Sequence, residues 1–105
     1  MTNIKDLTVA YVKAFNDKNI DEVLLLVNED FYLKDPSSEI FDKHEFKYFL
    51  EAFFENTISF SAKQIICECN VSVIHFDITV NGDKLSGVDI IEWESSKIKS
   101  VIAYL

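Results

Sequence analysis

The chain is organised around a short stretch at the end of its first third, FYLKDP at residues 31–36. As a strand, this stretch places Phe31, Leu33 and Asp35 on one face, because side chains alternate along a strand. Pro36 ends the strand, since it has no backbone N–H to donate to a sheet. A charged carboxylate in line with large apolar groups is costly unless something compensates it. We therefore expect Asp35 to lie either at a wet rim or in a cavity that uses it.

Length and composition predict one domain spanning residues 1–105. Hydrophobic residues make up 49% of the sequence, which is enough for a core, and the formal net charge is −8. Binding to a nucleic acid relies on clustered Lys and Arg, so this acidic balance argues against a nucleic-acid partner. No apolar run approaches the roughly 20 residues of a membrane span, and residues 1–6 lack the layout of a signal peptide. We expect a cytoplasmic protein with no membrane partner.

The cysteines and glycines exclude several kinds of site. Cys67 and Cys69 would share one face of a strand with parallel side chains, a geometry that disfavours a disulfide. Two thiols cannot complete a structural zinc site, and Gly82 and Gly87 are too few to build a phosphate loop or a dinucleotide fingerprint. We therefore expect reduced thiols, no metal site and no cofactor.

Three helices are predicted in the first half of the chain from apolar residues at helical spacing. The first spans about residues 3–16 and carries Tyr11 in the middle of its apolar stripe. The second begins at an Asn19 cap and is expected to continue through Val27, whereas the third follows an Asp42 cap. The apolar stripe of the third helix consists of Phe46, Phe49, Leu50, Phe53 and Phe54.

After residue 56 the apolar pattern changes to the alternation of strands rich in Ile, Val, Phe and Thr. Four strands are predicted at residues 58–70, 71–81, 83–94 and 98–105, and short turns join them into an antiparallel meander. The order of elements predicts an α+β fold in which three N-terminal helices pack on one face of a curved, mostly antiparallel sheet.

Two more polar groups stand among apolar residues. Asp89 shares a strand face with Ile91 and Trp93, and Tyr11 carries its hydroxyl on the core stripe of the first helix. Burial raises the pKa of a carboxyl, and a protonated acid can donate a hydrogen bond. A cavity lined by Tyr11, Asp35 and Asp89 would be a proton-transfer site. Asp35 would take a proton from carbon, and the other two would stabilise the resulting oxyanion.

Each of these three residues also has a purely structural explanation, which the sequence leaves open. An aspartate before proline, such as Asp35, often accepts a hydrogen bond from local backbone. Asp89 follows Gly87 by two residues and is compatible with a β-bulge. The Tyr11 hydroxyl would be satisfied equally well by water at the helix edge.

The first half of the chain resembles a known family. YVKAFN at residues 11–16, NID at residues 19–21 and YLKDP at residues 32–36 resemble the opening of the nuclear transport factor 2-like superfamily. Its SnoaL-like and ketosteroid isomerase branch is the most similar, and the order of elements matches too. The resemblance implies a cone of three helices against a strongly bent sheet.

The resemblance also implies roles for individual residues. Ketosteroid isomerase uses a tyrosine, a general-base aspartate and a protonated aspartate, and these positions match Tyr11, Asp35 and Asp89 here. The implied site is an apolar pocket between helices and sheet. Its apolar walls are expected to be Phe31, Leu33, Phe49, Phe53, Ile91 and Trp93.

The expected partner is therefore a small hydrophobic molecule, and the most specific hypothesis is a cofactor-free isomerase that moves a proton next to a carbonyl. A polyketide cyclase-like or hydrolase-like activity would use the same pocket. The alternative from another class is a non-catalytic dimerisation or ligand-binding module. The resemblance implies a homodimer through one sheet face, made either by Ile74, Phe76, Ile78 and Val80 or by the opposite set.

Overall fold

The computed structural model describes residues 3–105, so Met1 and Thr2 of the predicted domain lie outside the described residues. Each of its three helices begins at a side-chain cap. Asn3, Asn19 and Asp42 each accept a hydrogen bond from the backbone N–H three residues later. Such caps satisfy N–H groups that have no partner within the first turn. The helices are α1 Ile4–Asn16, α2 Ile20–Leu25 and α3 Lys43–Asn56.

The helices pack on one six-stranded sheet, in the order β2-β1-β6-β5-β4-β3. The meander from β3 to β6 is antiparallel as predicted, whereas β1 and β6 pair in parallel. No helix within the described residues is long and apolar enough to cross a membrane. The strands are β1 Val27–Lys34, β2 Glu39–Ile40, β3 Thr57–Glu68, β4 Val71–Val80, β5 Asp83–Glu94 and β6 Lys97–Tyr104.

The boundary between α2 and β1 differs from the prediction. The second helix ends at Leu25, and the first strand already begins at Val27 rather than at Phe31. Val27 is buried and pairs with Ile98 of β6, whose N–H donates to the carbonyl of Leu26. An unbroken apolar run fits a helix and a buried strand equally well, so periodicity alone could not locate this boundary.

A second unpredicted feature is the short strand β2, which folds back on the end of β1. Lys34 pairs with Glu39, and the backbone N–H of Asp35 donates to the carbonyl of Ser38 at 3.0 Å. The residues that follow Pro36 therefore form a tight turn of a hairpin. This turn fixes the position of Asp35 immediately beyond the end of its strand.

A buried hydrogen-bond network joins α1 to the sheet. The hydroxyls of Thr8 and Ser72 lie 2.5 Å apart, and the indole N–H of Trp93 donates to the Ser72 hydroxyl at 2.8 Å. Thr8 also donates to the carbonyl of Ile4 at 2.7 Å. Because the Thr8, Ser72 and Trp93 side chains are buried, the bonds among them replace ones that water would otherwise supply.

The sheet face turned away from the helices carries an uninterrupted apolar row. Ile66, Val73, Ile90 and Ile102 are consecutive cross-strand partners from β3 to β6. Of the two faces that the sequence left open for a dimer contact, the other one is covered by the helices. Its buried members are Ile74, Phe76 and Ile78.

Candidate functional site

The helices and the inner face of the sheet enclose a cavity of about 60 Å³. Tyr11 reaches it from α1, Asp35 from the turn after β1, and Asp89 from the middle of β5. Three polar residues that lie far apart in the sequence therefore meet at one cavity. The rest of its lining is apolar and includes Phe15, Phe46, Phe49, Phe53, Phe60 and Phe76.

Tyr11 lines the cavity although only 2% of the residue is exposed. Burial, and after it the charge of Asp89, holds the pKa of this phenol well above its usual value. Both causes disfavour the charged phenolate and keep the hydroxyl protonated. A phenol that stays protonated can donate a hydrogen bond to a ligand.

Asp89 is a nearly buried acid in a regular part of the sheet, with 8% of the residue exposed. It lies between Ile74 of β4 and Ala103 of β6. Burial, and after it the charge of Asp35, raises the pKa of the Asp89 carboxyl from its usual 3.8 to about 7. No bulge explains its position, because the pairing of β5 with β6 shifts only between Glu92 and Trp93.

Asp35 combines the structural and the functional expectation. One carboxylate oxygen accepts hydrogen bonds from the backbone N–H of Ser37 at 2.8 Å and from its hydroxyl at 3.3 Å. The residue is half-buried and lines the cavity, so it is held in place by the turn while still facing the site. Local backbone bonding and a position at the rim are therefore both true of this residue.

The predicted apolar walls divide into two groups. Leu33, Phe49 and Phe53 line the cavity, whereas Phe31, Ile91 and Trp93 do not. These last three lie on the expected inner face but are buried in the core, where the Phe31 ring packs at 4.4 Å from that of Phe46. Alternation identifies the face of a residue, but it does not reveal how far along a strand the helices cover that face.

Several lining residues were not predicted as walls. Phe15 lies on α1, and Phe46 belongs to the predicted apolar stripe of the third helix. Phe60 stacks on Phe76 with ring centroids 4.9 Å apart. The apolar spacing of these residues predicts that they are buried, but it does not predict which of them contact the cavity. The remaining lining residues are Ile78, Val101, Ala103 and Leu105.

Gly87 lies beside the cavity at a point where the backbone is closely covered. A Cβ atom at this position would lie 2.6 Å from Leu105 Cδ2, 2.7 Å from the carbonyl oxygen of Tyr104 and 2.9 Å from Phe76 Cζ. Atoms cannot approach this closely without displacement. The absence of a side chain therefore allows Leu105 and Phe76 to occupy their places on the cavity wall.

The sequence matches one family over most of its length. A family model described as a SnoaL-like domain matches residues 8–101. The chain belongs to this family. This SnoaL-like domain has the α+β fold expected from the sequence, with three helices on a curved, mostly antiparallel six-stranded sheet.

Solved structures of similar fold cover nearly the whole SnoaL-like chain. A nuclear transport factor 2-like protein of unknown function from Cytophaga hutchinsonii superposes with a TM-score of 0.90 at 19% identity, covering 99% of this chain and 90% of the other. A protein from Kribbella flavida, provisionally named a ketosteroid isomerase, gives 0.86 at 17% identity over 94% and 74%. A protein from Shewanella denitrificans, provisionally named a SnoaL-like polyketide cyclase, gives 0.78 at 13% identity over 95% and 88%. No curated protein matches the sequence.

The raised pKa of Asp89 has a measurable consequence for stability. The folded protein binds this proton more tightly than the unfolded chain, so stability should fall as the pH rises from about 4 to about 7. The loss from this one group is up to about 4 kcal/mol. Urea denaturation at several pH values measures this. As the pH rises across that interval, the free energy of unfolding of Asp89→Asn should increase relative to that of the wild type.

The exposed acid Asp83 at the start of β5 supplies the control, because Asp83→Asn removes the same charge without burial. Its stability difference from the wild type should vary little over the interval. A side-chain carbonyl NMR titration of Asp89 gives the pKa directly. A value near the ordinary 4 would contradict the prediction and remove this residue as a hydrogen-bond donor.

Proposed function

We propose that this SnoaL-like protein binds a small, mostly apolar molecule in the cavity and moves a proton next to its carbonyl group without a cofactor. The proposal is carried by the position of Tyr11, Asp35 and Asp89, which reach one apolar cavity from three separate elements. Apolar pockets with a few convergent polar groups and a perturbed pKa are typical of active sites.

Asp35 is the proposed base. Ser37 holds one of its carboxylate oxygens, so the other is available to a substrate. The base takes a proton from the carbon next to the carbonyl and returns it to another carbon, so the reaction has no net proton change. The double bond moves with it, and no other reactant is consumed.

Tyr11 and Asp89 are the proposed donors to the carbonyl oxygen. That oxygen gains negative charge while the proton is on Asp35, and donors fixed in a dry site stabilise such charge strongly. The pKa of Tyr11 is raised, so its phenol remains protonated. With a pKa of about 7, Asp89 is protonated in about half of the molecules at neutral pH.

The size of the cavity favours a small substrate. A volume of about 60 Å³ holds roughly four water molecules and is well below the roughly 300 Å³ of common drug-sized sites. A carbonyl compound of a few heavy atoms fits this space better than a steroid. A SnoaL-like cyclase or hydrolase would use the same cavity with another substrate.

Deuterium exchange tests the proposed reaction without knowledge of the natural substrate. A cyclohexenone whose double bond is not conjugated is incubated with the protein in D₂O and followed by proton NMR. We expect deuterium to enter next to the carbonyl, and the double bond to move into conjugation, faster than in buffer. Binding of the ketone without exchange would favour a non-catalytic ligand-binding module instead.

A homodimer through the outer sheet face is the second part of the proposal. Ile90, 38% exposed, lies in the middle of the apolar row that crosses four strands. Covering such a row with a second copy removes apolar surface from water. A cytoplasmic location likewise remains a prediction.

We expect sedimentation to show a dimer for the wild type and a monomer for Ile90→Lys, because the substitution buries a charge in the contact. Val9→Lys on α1 is the control, since it adds the same charge at an exposed apolar position away from the sheet. A wild type that sediments as a monomer at the concentrations tested, or an Ile90→Lys dimer as tight as the wild type, would contradict this contact.

A further inference from the structure

The charge of the cavity lining has one sign only. Its charged residues are Asp35 and Asp89, and none of its lining residues is Lys, Arg or His. More than nine-tenths of Asp89 is buried, and the causes of its raised pKa are burial and the charge of Asp35, with no opposite charge among them. A buried carboxylate without a counter-ion is costly, so a ligand with a positive charge would recover energy that a neutral ligand cannot.

The aromatic lining favours the same kind of ligand. We call the six lining phenylalanines the phenylalanine cage, consisting of Phe15, Phe46, Phe49, Phe53, Phe60 and Phe76. The face of an aromatic ring is electron-rich and attracts an organic cation, most strongly where water is excluded. Alkyl groups on such a cation also gain from contact with the apolar wall.

A metal ion fits this site less well. Hard cations require six or more oxygen ligands, and two carboxyl groups and one phenol do not supply them. No group of three His, Cys, Asp or Glu side chains able to hold a metal ion occurs within the described part of the chain. The lining suits a cation whose own surface is apolar.

We propose that this cavity is a binding site for a small organic cation, an aliphatic ammonium ion held between the phenylalanine cage and the carboxylates of Asp35 and Asp89. The inference rests on the ligand-binding part of the proposed function and does not require turnover. It places the cation where the carbonyl compound would bind, so the two ligands compete.

Binding of the cation should depend on pH through Asp89. The groups facing this carboxyl are Tyr11 from α1 and Asp35 from the turn after β1, while its neighbours on β4 and β6 are Ile74 and Ala103. Because the pKa of Asp89 is about 7, its carboxyl becomes charged as the pH rises through that value, and the cation should then bind more tightly. From about pH 6 to about pH 8.5 the charged fraction, and with it the affinity, increases about tenfold.

Tetramethylammonium is a suitable probe because its charge does not change with pH. The cation is titrated into the protein at both pH values, and the side-chain carboxyl signal of Asp89 and the phenylalanine ring signals are followed by NMR. tert-Butanol provides an uncharged comparison of similar size. At the high pH we expect the cation to bind more tightly than tert-butanol. At the low pH we expect the cation to bind about tenfold more weakly than it does at the high pH.

Two variants locate the effect. Asp89→Asn should weaken binding of the cation at high pH to about its low-pH value and remove the pH dependence. Asp83→Asn, which removes one exposed charge on the same strand, should bind as the wild type does. Equal binding of the cation by Asp89→Asn and the wild type at both pH values would overturn the inference.

The remaining outcomes separate this inference from the proposed function. If tert-butanol binds and the cation does not, the cavity takes neutral ligands and only the cation inference fails. If the cation binds as expected but no deuterium exchange occurs with the ketone, the proton transfer fails and the cation site stands. If neither probe perturbs the cavity signals, the cation inference is overturned, and deuterium exchange with the ketone alone decides the proposed function.

Discussion

Asp35→Asn should lower the rate of deuterium exchange into the ketone by about 10²–10⁴-fold, the usual contribution of a general base. An amide cannot take the proton from carbon, but its oxygen can still accept the N–H of Ser37, so the turn is preserved. The measurement is the initial exchange rate by proton NMR at matched protein concentration.

Asp30→Asn is the matched control, because Asp30 is an exposed acid of β1, the strand that Asp35 follows, and its loss changes the net charge equally. It should exchange the ketone as the wild type does. The titration of Asp89 gives a second measurement that is independent of activity: loss of the Asp35 charge should lower the pKa of Asp89. An exchange rate unchanged in Asp35→Asn would rule this residue out as the base.

Trp93→Ala should reduce the free energy of unfolding by about 3–5 kcal/mol, the usual cost of removing a large aromatic side chain from a core. Trp93 is the single tryptophan of the chain and is buried. Its indole N–H donates to Ser72, so the truncation also removes a bond from the network that joins α1 to the sheet. Urea denaturation followed by far-ultraviolet circular dichroism measures the change.

Trp93→Phe separates the hydrogen bond from the packing. It keeps most of the apolar volume and should cost about 1–3 kcal/mol, because Ser72 loses a buried donor. Tyr48→Ala on α3 is the control for an aromatic truncation; Tyr48 is 60% exposed, and the change should stay within about 0.5 kcal/mol. A loss below 1 kcal/mol in Trp93→Ala would contradict the buried position of this side chain.

The elements with a clear apolar period were predictable. The stripe around Tyr11 predicted the first helix, and the alternation along β4 predicted the meander, whereas the sequence left open which sheet face the helices cover. The start of β1 at Val27 was not predictable, because an unbroken apolar run has no period that separates helix from strand. The strand β2 was too short to carry a pattern, since it has two residues.

For the site, the resemblance supplied what the pattern could not. Nothing in the spacing of Tyr11, Asp35 and Asp89 shows that they meet, because their approach depends on how helices and strands pack. The network of Thr8, Ser72 and Trp93 was missed for a related reason. The sequence does not show that the Thr8 hydroxyl has a partner on the sheet, because Ser72 approaches it only when α1 packs on β4.

Gly87 gives the site a dependence that its polar residues do not reveal. Leu105 and Phe76 line the cavity and both stand within 3 Å of the place where a Cβ at position 87 would be. A methyl group added at position 87 would therefore displace Leu105 and Phe76 and change the shape of the cavity wall. The width of the cavity is thus controlled from the main chain of β5, two residues before the buried acid Asp89.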